Sequence, residues 1–209
     1  MSAAVTRGRG RAFRPAALLG AVVVATAALT VLVPAPDARA AGRVSVSSDL
    51  GSATASLDGA TTVTLAGSGF QSVQGGFGGV YVLFGWVSDP GGGGWAPSNG
   101  GATGATYVYV PDAESGANAG YSRFIAFPGS STAGEAHGEI AADGTWSTTM
   151  VIPGPTFTGL DRDNAPTPVD CREVTCGIIT IGAHGVKNAT NETFTPVTFA
   201  SPGAVRPRP

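Results

Sequence analysis

The sequence predicts an all-β fold, an immunoglobulin-like antiparallel β-sandwich of about seven strands, from three observations. Glycine, serine, threonine, alanine and valine dominate while only 12% of residues are charged. No stretch carries apolar residues at helical spacing for three turns, and short β-rich runs recur between turn signals instead. Several runs alternate, as Val63 and Leu65 do against Thr62 and Thr64. One wet and one dry face per strand is what two packed sheets require.

Residues 1–40 precede this pattern and differ from it. Arg7, Arg9, Arg11 and Arg14 lead into the apolar run "PAALLGAVVVATAALTVLVPA", and Ala38 and Ala40 supply the small residues of a cleavage site. This predicts a secretory signal peptide cut near Ala40. No second apolar stretch of spanning length follows, so the expectation is a secreted, monomeric chain free of the membrane. Five of the 12 Lys and Arg and one of the 14 acids lie in the leader. Seven bases against 13 acids remain, a net charge of about −6 that disfavours binding to nucleic acid or an anionic surface.

The remaining residues suit one domain, placed at 41–200, with a Pro-rich tail at 201–209. Its predicted strands are "RVSVSS" (43–48), "TTVTLAG" (61–67), "GVYVLFGWV" (79–87), "TYVYVP" (106–111), "RFIAF" (123–127), "TWSTTMVI" (145–152), "CGIITIG" (176–182) and "TFTPVTF" (193–199). "ADGTW" (142–146) carries an Asp-Gly turn between two such runs and signals a hairpin. "GFGGV" (76–80) is read as a turn, since neither a helix nor a lysine follows to make a phosphate loop.

The two cysteines, Cys171 and Cys176, pose a choice between metal site, redox pair and staple. A metal site needs three or four ligands and no second pair exists; a redox pair has two intervening residues at a helix start, whereas four intervene here. In a secreted chain an even count of two argues for one disulfide that shapes the loop before "GIITIG".

Three segments carry a resemblance: "VSVSSDLGSATASLDGATTVTLAGSGFQ" (44–71), "TWSTTMVIPGPTFTGLDRDNAPTPVDCREVTCGI" (145–178) and "GAHGVKNATNETFTPVTF" (182–199). With "VDC" and a cysteine five positions on as the specific element, the chain resembles the neocarzinostatin-like family of actinobacterial secreted apoproteins. The resemblance implies a seven-stranded sandwich with a cleft at one end, where the best-known members carry an enediyne chromophore that itself damages DNA. It also implies a second disulfide flooring the cleft, for which this chain has no cysteine; its first half would fall near Trp86. The family's ligand-facing serine is replaced by Ile181 and Gly182, and its aromatic-rich loop keeps Phe157 and Leu160 before turning polar.

Residues 89–138 exceed the family pattern as an insertion with Trp95, Tyr107, Tyr109, Tyr121, Phe124 and Phe127 set among glycines. Two readings stand: an enlarged aromatic mouth, or an extra hairpin with core aromatics. The candidate ligand-binding residues are Phe84, Trp86, Trp95, Phe157, Leu160 and Ile181. No metal or cofactor site is expected: His137 and His184 lie far apart beside glycines, and Asp161, Asp163 and Asp170 lack the glycine and glutamate of a calcium loop. No catalytic Ser-His-Asp order or carboxylate pair stands out, and the sequons "NAT" and "NET" (188–193) are read as a polar loop. The functional expectation is a non-enzymatic secreted protein that shields an apolar or aromatic small molecule. The other is an extracellular or envelope interaction module without a ligand.

Overall fold

The computed structural model describes residues 41–201 and 203; the predicted leader and most of the predicted tail lie outside them. Thirteen strands follow in order: β1 (Arg43–Ser48), β2 (Gly51–Ser52), β3 (Thr54–Ser56), β4 (Thr61–Ser68), β5 (Gly79–Val87), β6 (Tyr107–Tyr109), β7 (Ser122–Ala126), β8 (Trp146–Ile152), β9 (Thr156–Leu160), β10 (Pro166–Asp170), β11 (Cys176–Gly182), β12 (Thr193–Pro196) and β13 (Thr198–Ala200). One sheet runs β2-β1-β4-β8 and the other β12-β11-β5, with β6 and β7 both paired to the free edge of β5. Every pairing in these two sheets is antiparallel. The all-β antiparallel sandwich read from the sequence is the fold observed.

Alternation builds the core between the sheets. Val44, Val46, Val63, Leu65, Met150 and Ile152 point inward from one sheet, and Val80, Val82, Phe84, Cys176 and Ile178 from the other. Each such side chain contributes on the order of 1.5–3 kcal/mol by leaving water. Trp146 closes one end of this core, edge-on to Phe70 with ring centroids 5.2 Å apart. It lies over Gly67, where a Cβ would stand 2.1 Å from the indole, so only glycine leaves room for the ring.

The strand β5 does not alternate: seven of its nine residues are buried, and the other two half-buried. The reason is a second apolar layer. Tyr81, Leu83 and Val87 face away from the main core, together with Ile179, Ile181 and Phe194, and the segment before β6 lays Trp95 and Ala96 over them. A strand covered on both faces reads as a continuous apolar run.

Three sequence expectations are corrected. "TFTPVTF" is two strands: Val197 turns inward, β12 pairs with β11, and β13 leaves to pair in parallel with β3. The Asp-Gly turn forms, with the Asp143 carboxylate accepting from Thr145 N–H, but it feeds β8, whose partner is β4; it is a crossover between sheets and makes no hairpin. The segment before the cysteines is a two-stranded ribbon, β9 with β10, missed because Pro166 and Pro168 argue against a strand and are tolerated only outside a sheet interior. The loop at 188–193 is polar as read, and one of its side chains is fully buried: Asn191 accepts from Gln71 N–H and donates to Gln71 C=O.

The segment at 89–138 is neither a plain hairpin nor a floppy loop. β6 pairs with residues 85–87 and β7 with residues 79–83, so the two short strands lie in tandem along one edge of β5. Glycine permits both approaches. A Cβ on Gly85 would meet the Val108 carbonyl at 2.2 Å, and one on Gly79, whose φ is +157°, would meet the Ile125 carbonyl at 2.1 Å. Among its aromatics, Phe127 and Tyr121 join the main core, whereas Trp95, Tyr107, Tyr109 and Phe124 lie on the outer face.

Candidate functional site: an aromatic cleft on the outer sheet face

The outer face of β5 and β11 is the floor of a half-open cleft of about 450 Å³. Tyr81, Leu83 and Ile181 form the floor, Tyr107 and Tyr109 one side and Phe124 another. Period-two geometry dictates this set: Tyr81 pairs with Ile181 across the strands and with Phe124 on β7, so all three share one face. Pro97 and Thr103 wall it from the segment before β6, Asp112 and Glu114 from the β6–β7 connection, and Gly182, Gly185, Val186 and Lys187 from the end of β11 and the turn after it. Grooves beside Phe157 (about 600 Å³) and beside the disulfide (about 510 Å³) are more open to solvent.

The polar end of the cleft is a closed cluster. Tyr81 Oη donates to Glu114 Oε2 at 2.9 Å and lies 3.0 Å from His184 Nδ1. With the phenol proton committed to Glu114, the imidazole contact needs Nδ1–H to donate to the phenol oxygen. His184 Nε2 then faces Glu114 Oε1 at 3.5 Å, and both atoms are buried without a hydrogen-bond partner. Burial, followed by the hydrogen bond to Glu114 and its charge, pushes the Tyr81 phenol up to about 12. Tyr107 is raised too, first by burial and then by neighbouring Tyr109 and Glu192.

The β6–β7 connection is folded by a single carboxylate. Asp112 accepts four backbone N–H bonds, from Ala113, Ala119, Tyr121 and Ser122, at 2.7–3.1 Å. Burial alone would raise its pKa, but these four donors outweigh burial and hold it below the ordinary Asp value. On the opposite wall, Glu192 accepts from Ser98 N–H at 3.0 Å and fastens the segment before β6 to the loop before β12.

Of the six candidate ligand residues, Ile181 lines this cleft. Leu160 is exposed and lines an adjoining pocket of about 170 Å³ that shares Thr103, Tyr109 and Asp112 with it. Trp95 is buried behind the wall, edge-on to Tyr107 at 6.1 Å and Phe194 at 6.3 Å. Phe84 is fully buried between the sheets and edge-on to Phe157 of β9 at 5.8 Å; Trp86 is half-buried against the same core, on the same face of β5. The structure therefore separates the six: Ile181 and Trp95 at the outer face of one sheet, Phe84 and Trp86 at its inner face, and Phe157 and Leu160 on the β9–β10 ribbon. Cys171 and Cys176 are disulfide-bonded, as the sequence indicates, and the bridge ties β10 to β11. Asp170, beside it, is held at about 2 by its hydrogen bond from Arg172.

Tyr81, Glu114 and His184 were not singled out as a set by sequence reasoning, because they lie 33 and 103 positions apart. One signal was present: alternation along β5 puts Tyr81 and Leu83 opposite Phe84 and Trp86. Among the described residues no three His, Cys, Asp or Glu side chains converge as metal ligands. The arrangement offers aromatic faces with a hydrogen-bonding pole at one end.

The class these features define is an all-β antiparallel sandwich with an open cleft on one sheet face. The chain is similar to macromomycin, of the neocarzinostatin family, at 19% identity and a TM-score of 0.42, over 77% of this chain and all of that one. No protein-family profile matches the chain, and no curated protein does.

Proposed function

We propose that the protein is a secreted, non-enzymatic carrier that holds an apolar or aromatic small molecule in the cleft over Tyr81, Leu83 and Ile181. The observation that supports it most is the floor itself: aromatic and aliphatic side chains lining the base of a half-open cleft on a sheet face, ringed by a few polar groups. Small-molecule sites have this composition, in clefts of roughly 300–1,000 Å³. The family resemblance of the sequence also implies a ligand-facing position at Ile181. In this reading residues 1–40 direct secretion, residues 41–200 form one monomeric carrier domain with 89–138 inserted, and 201–209 trail from it. The net negative charge favours no nucleic-acid contact.

The experiment is fluorescence titration of the mature protein with polycyclic aromatics, macrolides and haem. Trp95, packed on Tyr107, is the indole nearest the cleft wall, so saturable quenching should vanish in Trp95→Phe while calorimetric binding persists. Absence of saturable binding across the panel would leave the extracellular interaction module as the reading. Native mass spectrometry of protein secreted by its own host would then seek a retained ligand directly.

A further inference from the structure

We propose that Glu114 is a latch: it holds the connection 111–121 as a strap across one end of the cleft, and its release lengthens the cleft and admits ligand. The inference rests on the carrier reading and adds to it the control of access. The strap leaves the sheet after β6 and returns at β7, on the free edge of β5. Glu114 reaches from that edge over β5, where it meets Tyr81, to the turn after β11, where it meets His184. One side chain thus spans the outer face at the Tyr81 end.

Asp112 and Asn118 fold the strap and tie it to β7: Asp112 gathers four N–H groups, Ser122 among them, and Asn118 Nδ2 donates to the Ala113 and Ser122 carbonyls while its Oδ1 accepts from Gly120 N–H and from the Arg123 guanidinium. Residues 115–117 are exposed. Across the cleft, the polar contacts of the strap are those of Glu114 with Tyr81 and His184. The β7 end is anchored separately, by Tyr121 in the main core and by the Val151 N–H bond to the Gly120 carbonyl. When that carboxylate lets go, the part freed is therefore 112–119, and with it the Asp112 bonds to Ala113 and Ala119 N–H.

What it would uncover is aromatic. Phe124 lies edge-on to His184 at 5.0 Å and beside Tyr81 at 5.7 Å, and Phe77, more than half exposed, continues the row 5.5 Å from His184. The latch itself is poorly satisfied when closed: Glu114 Oε1 and His184 Nε2 are buried 3.5 Å apart without hydrogen bonds. A buried polar pair in that state favours release over a permanent seal.

The test uses the mature protein, Glu114→Ala and Tyr81→Phe, with hydrogen exchange by mass spectrometry on ligand-free protein and stopped-flow binding of 8-anilinonaphthalene-1-sulfonate. Losing a hydrogen bond to a charged group shifts an opening equilibrium by roughly tenfold to a hundredfold. Glu114→Ala should speed exchange across 113–119 by about tenfold or more, with dye association faster by a similar factor. Tyr81→Phe, which keeps the ring and removes the donor, should fall between. Unchanged exchange in Glu114→Ala overturns the latch, and faster exchange with unchanged dye kinetics overturns its control of access. Absence of dye binding to all three proteins overturns the carrier reading and the access role resting on it.

Discussion

Truncating one aromatic on each face of the outer sheet should separate stability from binding. Phe84 is fully buried and makes edge contacts to Phe157 at 5.8 Å and Phe199 at 6.3 Å. Phe84→Ala removes that packing and leaves a cavity, at a cost of about 3–5 kcal/mol. For a domain of this size each kcal/mol lowers Tm by roughly 2–4 °C, so the melt should fall by about 6–20 °C. Tyr109 sits on the edge strand β6, half-buried, its ring stacked on Tyr107 at 6.4 Å and 20°. Tyr109→Ala forfeits a ring pair worth about 0.5–1.5 kcal/mol in folding. If the tyrosine anchors an aromatic ligand, affinity should drop by about 2 kcal/mol, close to thirtyfold. Differential scanning calorimetry and titration with a bound polycyclic aromatic read both quantities on the same samples. Should folded Phe84→Ala lose more affinity than Tyr109→Ala, the ligand would lie between the sheets, and the two-face argument would be refuted.

Two other outcomes follow from the geometry. Gly67→Ala drives a methyl to within 2.1 Å of the Trp146 ring and should destabilise by about 1–3 kcal/mol; Trp146→Leu in that background should recover part of it, as measured by urea denaturation. The pH profile should sag at both ends. The lowered Asp112 pKa contributes stability that is full above the ordinary value of 3.8 and is lost as pH falls through the folded value, so exchange at 119–122 should quicken in acid. The raised Tyr81 pKa contributes stability that is full below 10.0 and is lost as pH rises towards about 12, an alkaline loss that Tyr81→Phe should blunt.

Most strands were legible because their signal is local. The runs at 43–48, 79–87 and 176–182 match β1, β5 and β11 residue for residue, since β-branched and aromatic residues between turn formers need no partner to be recognised. Cys171 and Cys176 were legible for the same reason: two cysteines five positions apart have little else to pair with. The division of "TFTPVTF" into two sheets, and the ribbon containing Pro166 and Pro168, were not, because which strand a segment pairs with depends on neighbours distant in sequence.

For the cleft, the sequence by itself supplied the parts. It marked the aromatics of 89–138 and, through the family resemblance, named Ile181 as a candidate ligand residue. Tertiary structure alone decided which face each part joined. Phe84 and Trp86 went inward with the main core while Tyr81 and Leu83 went outward, because a strand sends successive side chains to opposite faces and a second layer was available to cover both. The meeting of Tyr81, Glu114 and His184 required β5, the strap and the turn after β11 to converge. Nothing in any one of those segments encodes the other two; sheet order and register bring them within hydrogen-bonding reach.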